Sequence, residues 1–301
     1  MHGFLNINKP QAMTSFDVIR KLKKALPRKH KLGHLGTLDP MAEGVLPVAV
    51  GQGTKIIPFV EDETKEYIAT MTLGASSDTQ DAWGVITYST PRKVEPAQIE
   101  KVLALFRGKS MQVPPMYSAV HHEGKRLYEL ARQGLEVERK AREIEIFELE
   151  LLNADWEREL PQLSLWVSCS RGTYIRTLCH DIGQELGCGA YLSSLCRNRS
   201  GCFKIEEAVS LEYILEKREN LSQALLPLDY PLNNLPLISL KSAELPDVIN
   251  GRQISRTGKL ASPRVRLYTP EGQLLAIAEV NNYNEDEDTV FQPCRVFKIN
   301  E

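Results

Sequence analysis

The stretch GHLGTLDPMAEGVLPV, residues 33–48, sets a single aspartate, Asp39, among three glycines and a histidine and directly before a proline. Two readings of Asp39 are open. In one, its carboxylate caps a helix by accepting backbone N–H groups, Pro40 takes the first helical position, and Glu43 adds favourable negative charge to the first turn. In the other, the glycines let the backbone turn tightly beside a ligand and the carboxylate reacts. The segment alone does not separate them, so the flanking sequence has to.

Upstream, RKLKKALPRKHK carries Arg20, Lys21, Lys23, Lys24, Arg28, Lys29 and Lys31 with no acid, a local field suited to phosphates. The acidic stretches lie elsewhere, at residues 143–150 and 284–289, so the two signs are segregated even though the formal net charge is only -2. That segregation favours an anionic partner. Thr14 or Ser15 can cap a helix whose apolar positions Val18, Ile19, Leu22 and Leu26 recur at helical spacing and which stops before Pro27.

Downstream, TKEYIATMTLGA alternates, with Tyr67, Ala69, Met71 and Leu73 on one face, and predicts a half-buried strand. PAQIEKVLALFRG reads as a helix ending at Gly108. VPPMYSAVHHEGKRLYELARQGLEV mixes prolines, paired histidines and aromatics with Lys125, Arg126 and Arg132, and reads as an excursion from the core. EIEIFELELL and LSLWVSCS give two further strands. RGTYIRTLCHDIGQELG follows as a helix with Ile175, Leu178, Ile182 and Leu186 on one side. Beyond about residue 225 the texture changes to a proline-punctuated stretch and then short strand-like runs, RVRLYT, LLAIAEV and PCRVFKI, which predict a small, separate, mainly β domain.

At 301 residues, 42% hydrophobic and 25% charged, the chain has the composition of a soluble globular protein of one large core or two domains. MHGFLNINKP lacks the layout of a secretory signal, and no apolar run approaches the ~18 residues a membrane helix needs. A cytoplasmic protein with no membrane association is expected. Cys169, Cys179, Cys188, Cys196, Cys202 and Cys294 form no C-x-x-C pair and no cluster at zinc spacing, so they read as reduced structural thiols, and no metal is expected.

The blocks GFLNINKPQAMTS, GHLGTLDPMAEGVLPVAVGQGTK, KEYIATMTLG, SSDTQDAWG, VPPMYSAVHHEGKRLYELARQG and SRGTYIRTLCHDIGQELGCGAYLSSLCR closely resemble, in that order, the blocks of the TruB family of tRNA pseudouridine-55 synthases. The resemblance covers nearly the whole catalytic region. It implies an α+β fold: a catalytic domain over residues 1–230 with a mixed, largely antiparallel sheet and a thumb insertion at about 117–140, then a small PUA-like β-barrel domain over 231–301. The implied reaction detaches a T-loop uridine base from C1′, rotates it and rejoins it through C5. Such an isomerisation gains and loses no atoms and calls for no redox carrier, so no cofactor is expected. The implied partner is tRNA, with no protein partner and a monomeric enzyme.

The resemblance also distributes roles. Asp39 matches the family's nucleophile and Arg176, in GTYIRT, its salt-bridge partner. A guanidinium lowers a nearby carboxyl pKa by roughly 1 to 3 units and so keeps it charged in a dry pocket. Tyr67 matches the tyrosine that lies against the flipped base, with a part in proton removal from C5. His34 matches the histidine that fills the gap the flipped base leaves, and Tyr174 and Leu195 match pocket walls. Asp81 looks like the acid that orients Arg176. Lys9 and Lys55 resemble structural or phosphate-facing lysines, and Arg197 an RNA contact at the family's Arg-rich strand end. Leu35 stands where the family often has a second small or polar residue, which bears on loop packing alone. A non-catalytic tRNA-binding or remodelling protein would use the same surfaces, but would not need Asp39, Tyr67 and Arg176 together. A hydrolase built on Asp39 and His34 is the weakest of the three, because no oxyanion or metal feature accompanies them.

Overall fold

The computed structural model describes residues 1–26, 30–61, 64–89, 94–282 and 288–298. Arg28, Lys29 and most of the 284–289 acidic stretch lie outside the described residues.

β1 (Gly3–Lys9) leads through a turn into α1 (Ser15–Ala25). Thr14 caps α1: its hydroxyl accepts the Asp17 N–H while the Asp17 carboxylate accepts the Thr14 N–H, a reciprocal capping box. Val18, Ile19 and Leu22 are buried against β1 and β3, with Leu26 at the C-cap, each worth about 1.5–3 kcal/mol of burial. Arg20, Lys21, Lys23 and Lys24 occupy the exposed face. β2 (Leu32–His34) and β3 (Glu43–Val50) flank the Asp39 segment. No helix follows Asp39, which corrects the capping reading. The Asp39 carbonyl instead accepts the Ala42 N–H across a tight turn, and the chain passes directly into β3.

β4 (Lys65–Leu73) buries Tyr67, Ala69, Met71 and Leu73 as its alternation predicts. A hairpin of β5 (Ala75–Ser77) and β6 (Ile86–Tyr88) precedes α2 (Pro96–Phe106) and β7 (Gly108–Gln112). The excursion forms the small hairpin β8 (His121–His122) and β9 (Lys125–Arg126) with the short helix α3 (Leu127–Ala131). Next come the long β10 (Arg142–Asp155), β11 (Gln162–Cys169), α4 (Ile175–Glu185) and β12 (Ala190–Ser200). Short elements β13 (Phe203–Lys204), β14 (Val209–Ser210), α5 (Leu211–Glu216), α6 (Arg218–Gln223) and β15 (Leu225–Leu226) return the chain to β1.

The large sheet runs β14-β1-β3-β12-β4-β11-β10-β7, with β2, β13 and β15 attached at its side. Its pairings are antiparallel except β1 with β14 and β3 with β12, so the sheet is mixed and largely antiparallel as expected. One face of β4, β10, β11 and β12 packs on α2 and α4.

A second sheet, β16 (Leu237–Ser239), β17 (Ile254–Arg256), β18 (Arg264–Tyr268), β19 (Leu274–Asn282) and β20 (Thr289–Val296), runs in the order β16-β18-β19-β20-β17 and is the small C-terminal PUA-like unit. It is less separate than the sequence suggests. Phe4, Val45, Ala49 and Phe203 of the large sheet and Ile56 beside it share one apolar cluster with Leu232, Leu235, Tyr268, Ile277 and Phe297. Gln52 seals the join, donating to the Lys298 carbonyl (2.9 Å) and accepting the Lys298 N–H (2.9 Å). Cover on both sides explains why β1 and β3 are buried at nearly every residue: Leu5, Ile7, Leu46 and Val48 face α1, and Phe4, Val45 and Ala49 face the second unit.

Candidate active site

Asp39 lies on the loop between β2 and β3, and that loop is gripped from three sides. On the first, Ser15 uses its buried hydroxyl on Leu38, accepting the Leu38 N–H at 2.8 Å and donating to the Leu38 carbonyl at 3.0 Å. Because Thr14 supplies the helix cap, the Ser15 hydroxyl is left for the loop. Ala12 donates its N–H to the Pro40 carbonyl (2.9 Å) from a turn that Lys9 closes by donating to the carbonyls of Pro10 (2.8 Å) and Met13 (2.7 Å). Burial lowers the Lys9 ammonium to about 8, while the Asp39 charge pulls it back up.

From the second side, Arg197 on β12 reaches under the loop. Its Nε donates to the Val45 carbonyl at 2.7 Å, and its two terminal nitrogens donate to Thr37 and Gly36, each at 3.2 Å. The close approach of β12 to β3 depends on Gly44, at φ +102°, where any Cβ would collide with the Arg197 backbone.

From the third side, Arg176 in the first turn of α4 places Nε 2.8 Å from Asp39 Oδ2. Its remaining nitrogens are fixed as well: one donates to the Thr79 carbonyl (3.1 Å) and lies 3.6 Å from Asp81 Oδ2, and the other donates to the Tyr117 carbonyl (2.8 Å). Asp81 is in turn held by the Thr79 hydroxyl (2.7 Å) and the Trp83 N–H (3.0 Å). The side chain of Arg176 is 5% exposed and that of Asp39 34% exposed, so the pair is open to solvent only on its carboxylate side.

Tyr67 on β4 lies opposite Arg197 of β12 in the sheet register. Burial pushes its phenol up to about 12, against the pull of the Arg197 charge. His34, the last residue of β2, is kept below its ordinary pKa first by burial and then by Arg197, and its buried Nδ1 meets no hydrogen-bond partner among the described residues. Tyr174 precedes α4, with its backbone clamped at both ends by the Gln112 side chain (2.8 and 3.1 Å), and burial raises its phenol. Leu195 on β12 shares the cluster of Leu38 and Tyr67.

The structure therefore gathers Asp39, Arg176, Asp81, Tyr67, Leu195, Lys9 and Arg197 around one loop, with His34 and Tyr174 flanking it. Two expectations change. Arg197 is no RNA contact, because it is 1% exposed and points into the protein. Lys9 is fully buried and structural rather than phosphate-facing. Lys55, exposed at the end of the turn Gly51–Lys55, is separated from Asp39 by the length of β3 and does not join the site. Ser15 and Gln112 were missed by the sequence reading. Ser15 was legible as a helix-start residue but not as a clamp, and Gln112 carries no local signal. Among the described residues no group of three or more His, Cys, Asp and Glu could hold a metal ion.

A sheet of this order, mixed and flanked by α2 and α4, is the fold of the pseudouridine synthases. The structure is similar over 98% of its length to a crystallised Cbf5–Nop10–Gar1 complex (TM-score 0.73, 27% identity, 85% of that chain covered). It is similar over the same share to an H/ACA RNP bound to a substrate RNA containing 2'-deoxyuridine (TM-score 0.72, 25% identity, 85% of that chain). Residues 23–175 match the N-terminal domain of the TruB family pseudouridylate synthases, and residues 176–233 match the tRNA pseudouridylate synthase B C-terminal domain. The tRNA pseudouridine synthase B of Syntrophomonas wolfei subsp. wolfei is 92% identical over the full length of both chains, and that of Geobacter sulfurreducens 44% identical over 93% of each. The chain belongs to the TruB family of pseudouridylate synthases.

Proposed function

We propose that the protein is a tRNA pseudouridine synthase that isomerises uridine 55 of the T-loop, with Asp39 as nucleophile. The observation that carries this reading is the one-sided ion pair. Arg176, walled in by Thr79, Tyr117 and Asp81, pairs with the Asp39 carboxylate at 2.8 Å, while solvent and hence a flipped nucleotide can reach it only from the carboxylate side.

The reaction breaks the C1′–N1 bond and forms C1′–C5, with one proton lost from C5 and one gained at N1. Tyr67, a neutral phenol at ordinary pH, stacks against the base and takes part in removing the C5 proton. Tyr174 and Leu195 exclude water from the pocket, and a neutral His34 fills the place of the flipped base by stacking. Asp81 holds Arg176 in line. The exposed cations Lys21, Lys23 and Lys24 of α1 suit RNA phosphates. We place the catalytic unit at residues 1–230 and an RNA-binding unit at 231–301, in a monomeric cytoplasmic enzyme. No described helix is long and apolar enough to cross a membrane.

The position is tested by incubating an unmodified tRNA transcript with the enzyme and mapping pseudouridine by carbodiimide adducts and primer extension. A single stop at position 55, lost when that uridine is replaced by cytidine, is expected. A stop elsewhere, or none, contradicts the assignment.

A further inference from the structure

Arg197 carries a charge in a place where charge is costly. Its side chain is almost fully buried, and no acidic side chain among the described residues pairs with it. A guanidinium so placed must satisfy its donors on other groups or destabilise the fold by several kcal/mol. It does so on three main-chain carbonyls, Gly36, Thr37 and Val45, which lie on both sides of Asp39 in the chain. The planar fork matters here, because one ammonium could not reach three carbonyls on both limbs of the loop at once. Register makes the arrangement possible: Arg197 lies opposite Tyr67 on β4 and opposite Gly44 on β3, and Gly44 has no side chain to keep the strands apart.

We infer that Arg197 is a positioning residue that ties both limbs of the Asp39 loop to β12, and so to the paired strand β4 that carries Tyr67, so that carboxylate and ring meet the same nucleotide. This inference rests on the assignment of Asp39 and Tyr67 as the reacting pair. Arg197 touches no substrate and acts only through the loop it holds to β12. Its removal lets the loop drift relative to β12 and β4, and a displacement of about 1 Å at a reacting group costs on the order of 10²-fold in rate.

The test compares Arg197→Lys and Arg197→Ala with wild type, measuring single-turnover pseudouridine formation at saturating tRNA, tRNA dissociation constants, and thermal midpoints. Arg197→Lys is expected to lose about 10²-fold in rate with its tRNA affinity unchanged. Arg197→Ala is expected to regain part of its rate in millimolar guanidinium chloride but not in equimolar sodium chloride, a recovery that a merely structural role would not give. Should Arg197→Ala fail to fold, Arg197→Lys, which keeps the charge and the stem, decides alone. A wild-type rate in Arg197→Lys overturns the inference. So does weakened tRNA binding with an intact rate at saturation, which would return Arg197 to the RNA surface. Activity retained by Asp39→Asn would instead remove the assignment on which the inference rests, and the two failures are read in different variants.

Discussion

Charged side chains set the residue-scale behaviour of the site. Lys9, Arg176 and Arg197 are all buried, and each is held by carbonyls or carboxylates that belong to the loop of Asp39 or to its neighbours. Lys9 makes the cost measurable. Its folded value of about 8 lies below the ordinary 10.5, so between these pH values the unfolded chain holds a proton that the folded chain has released. Stability contributed through Lys9 therefore rises with pH across that window, and below it the penalty of burying the ammonium is fully present. In denaturant unfolding of wild type and Lys9→Met, the difference in unfolding free energy should shift towards wild type from pH 8 to 10.5, at less than the about 1.4 kcal/mol per pH unit of one whole proton. A difference that stays flat would contradict the buried-ammonium account.

Single elements show why part of the fold was readable in sequence and part was not. α1 and β4 announce themselves because a single period, helical or alternating, matches a single buried face. β3 does not: GVLPVAV is covered on both faces and so lacks alternation, and Pro47 argues against a strand. The proline is tolerated because β12 pairs with β3 only at Glu43 and Gly44 and β2 only from Val48 to Val50, so Pro47 falls in the gap between the two neighbours. The family's site motifs were legible as residue types. The inward course of Arg197 was not, since it follows from a register irregularity in β12 and from Gly44 opposite it. The excursion was legible from composition, and its few attachments make it separable: Tyr128 N–H to the Ser118 carbonyl and Leu127 N–H to the Val120 carbonyl are bonds within it. Deleting residues 120–136 should weaken tRNA binding while leaving the thermal midpoint within a few degrees of wild type. Loss of the cooperative transition in circular dichroism would show that the segment belongs to the core.

Across the whole molecule, the two sheets form one body through a shared apolar cluster and the Gln52–Lys298 bonds. The second unit thus supports the catalytic strands in addition to any contact it makes with RNA. Val45 joins the two roles, packing into the shared cluster with its side chain while its carbonyl accepts from Arg197. Removing residues 234–301 uncovers Phe4, Val45, Ala49 and Ile56, apolar surface worth about 1.5–3 kcal/mol for each large side chain. The truncated chain should therefore unfold at a clearly lower temperature than the intact protein. An unchanged thermal midpoint would mean that the cluster contributes nothing to the large sheet.

Asp39→Asn, with pseudouridine formation and tRNA affinity measured on the same preparation, bears most directly on the role of the carboxylate. Asparagine keeps the size of the side chain and the turn that the Asp39 carbonyl makes with Ala42, so the loop should survive. What disappears is the carboxylate opposite Arg176, and with it the proposed nucleophile. Pseudouridine should fall below detection, a loss of several decades in rate, while tRNA binding, which depends on phosphates, loop shape and stacking, changes little. Formation of pseudouridine by Asp39→Asn at a rate near wild type would contradict the assignment of Asp39 as the nucleophile.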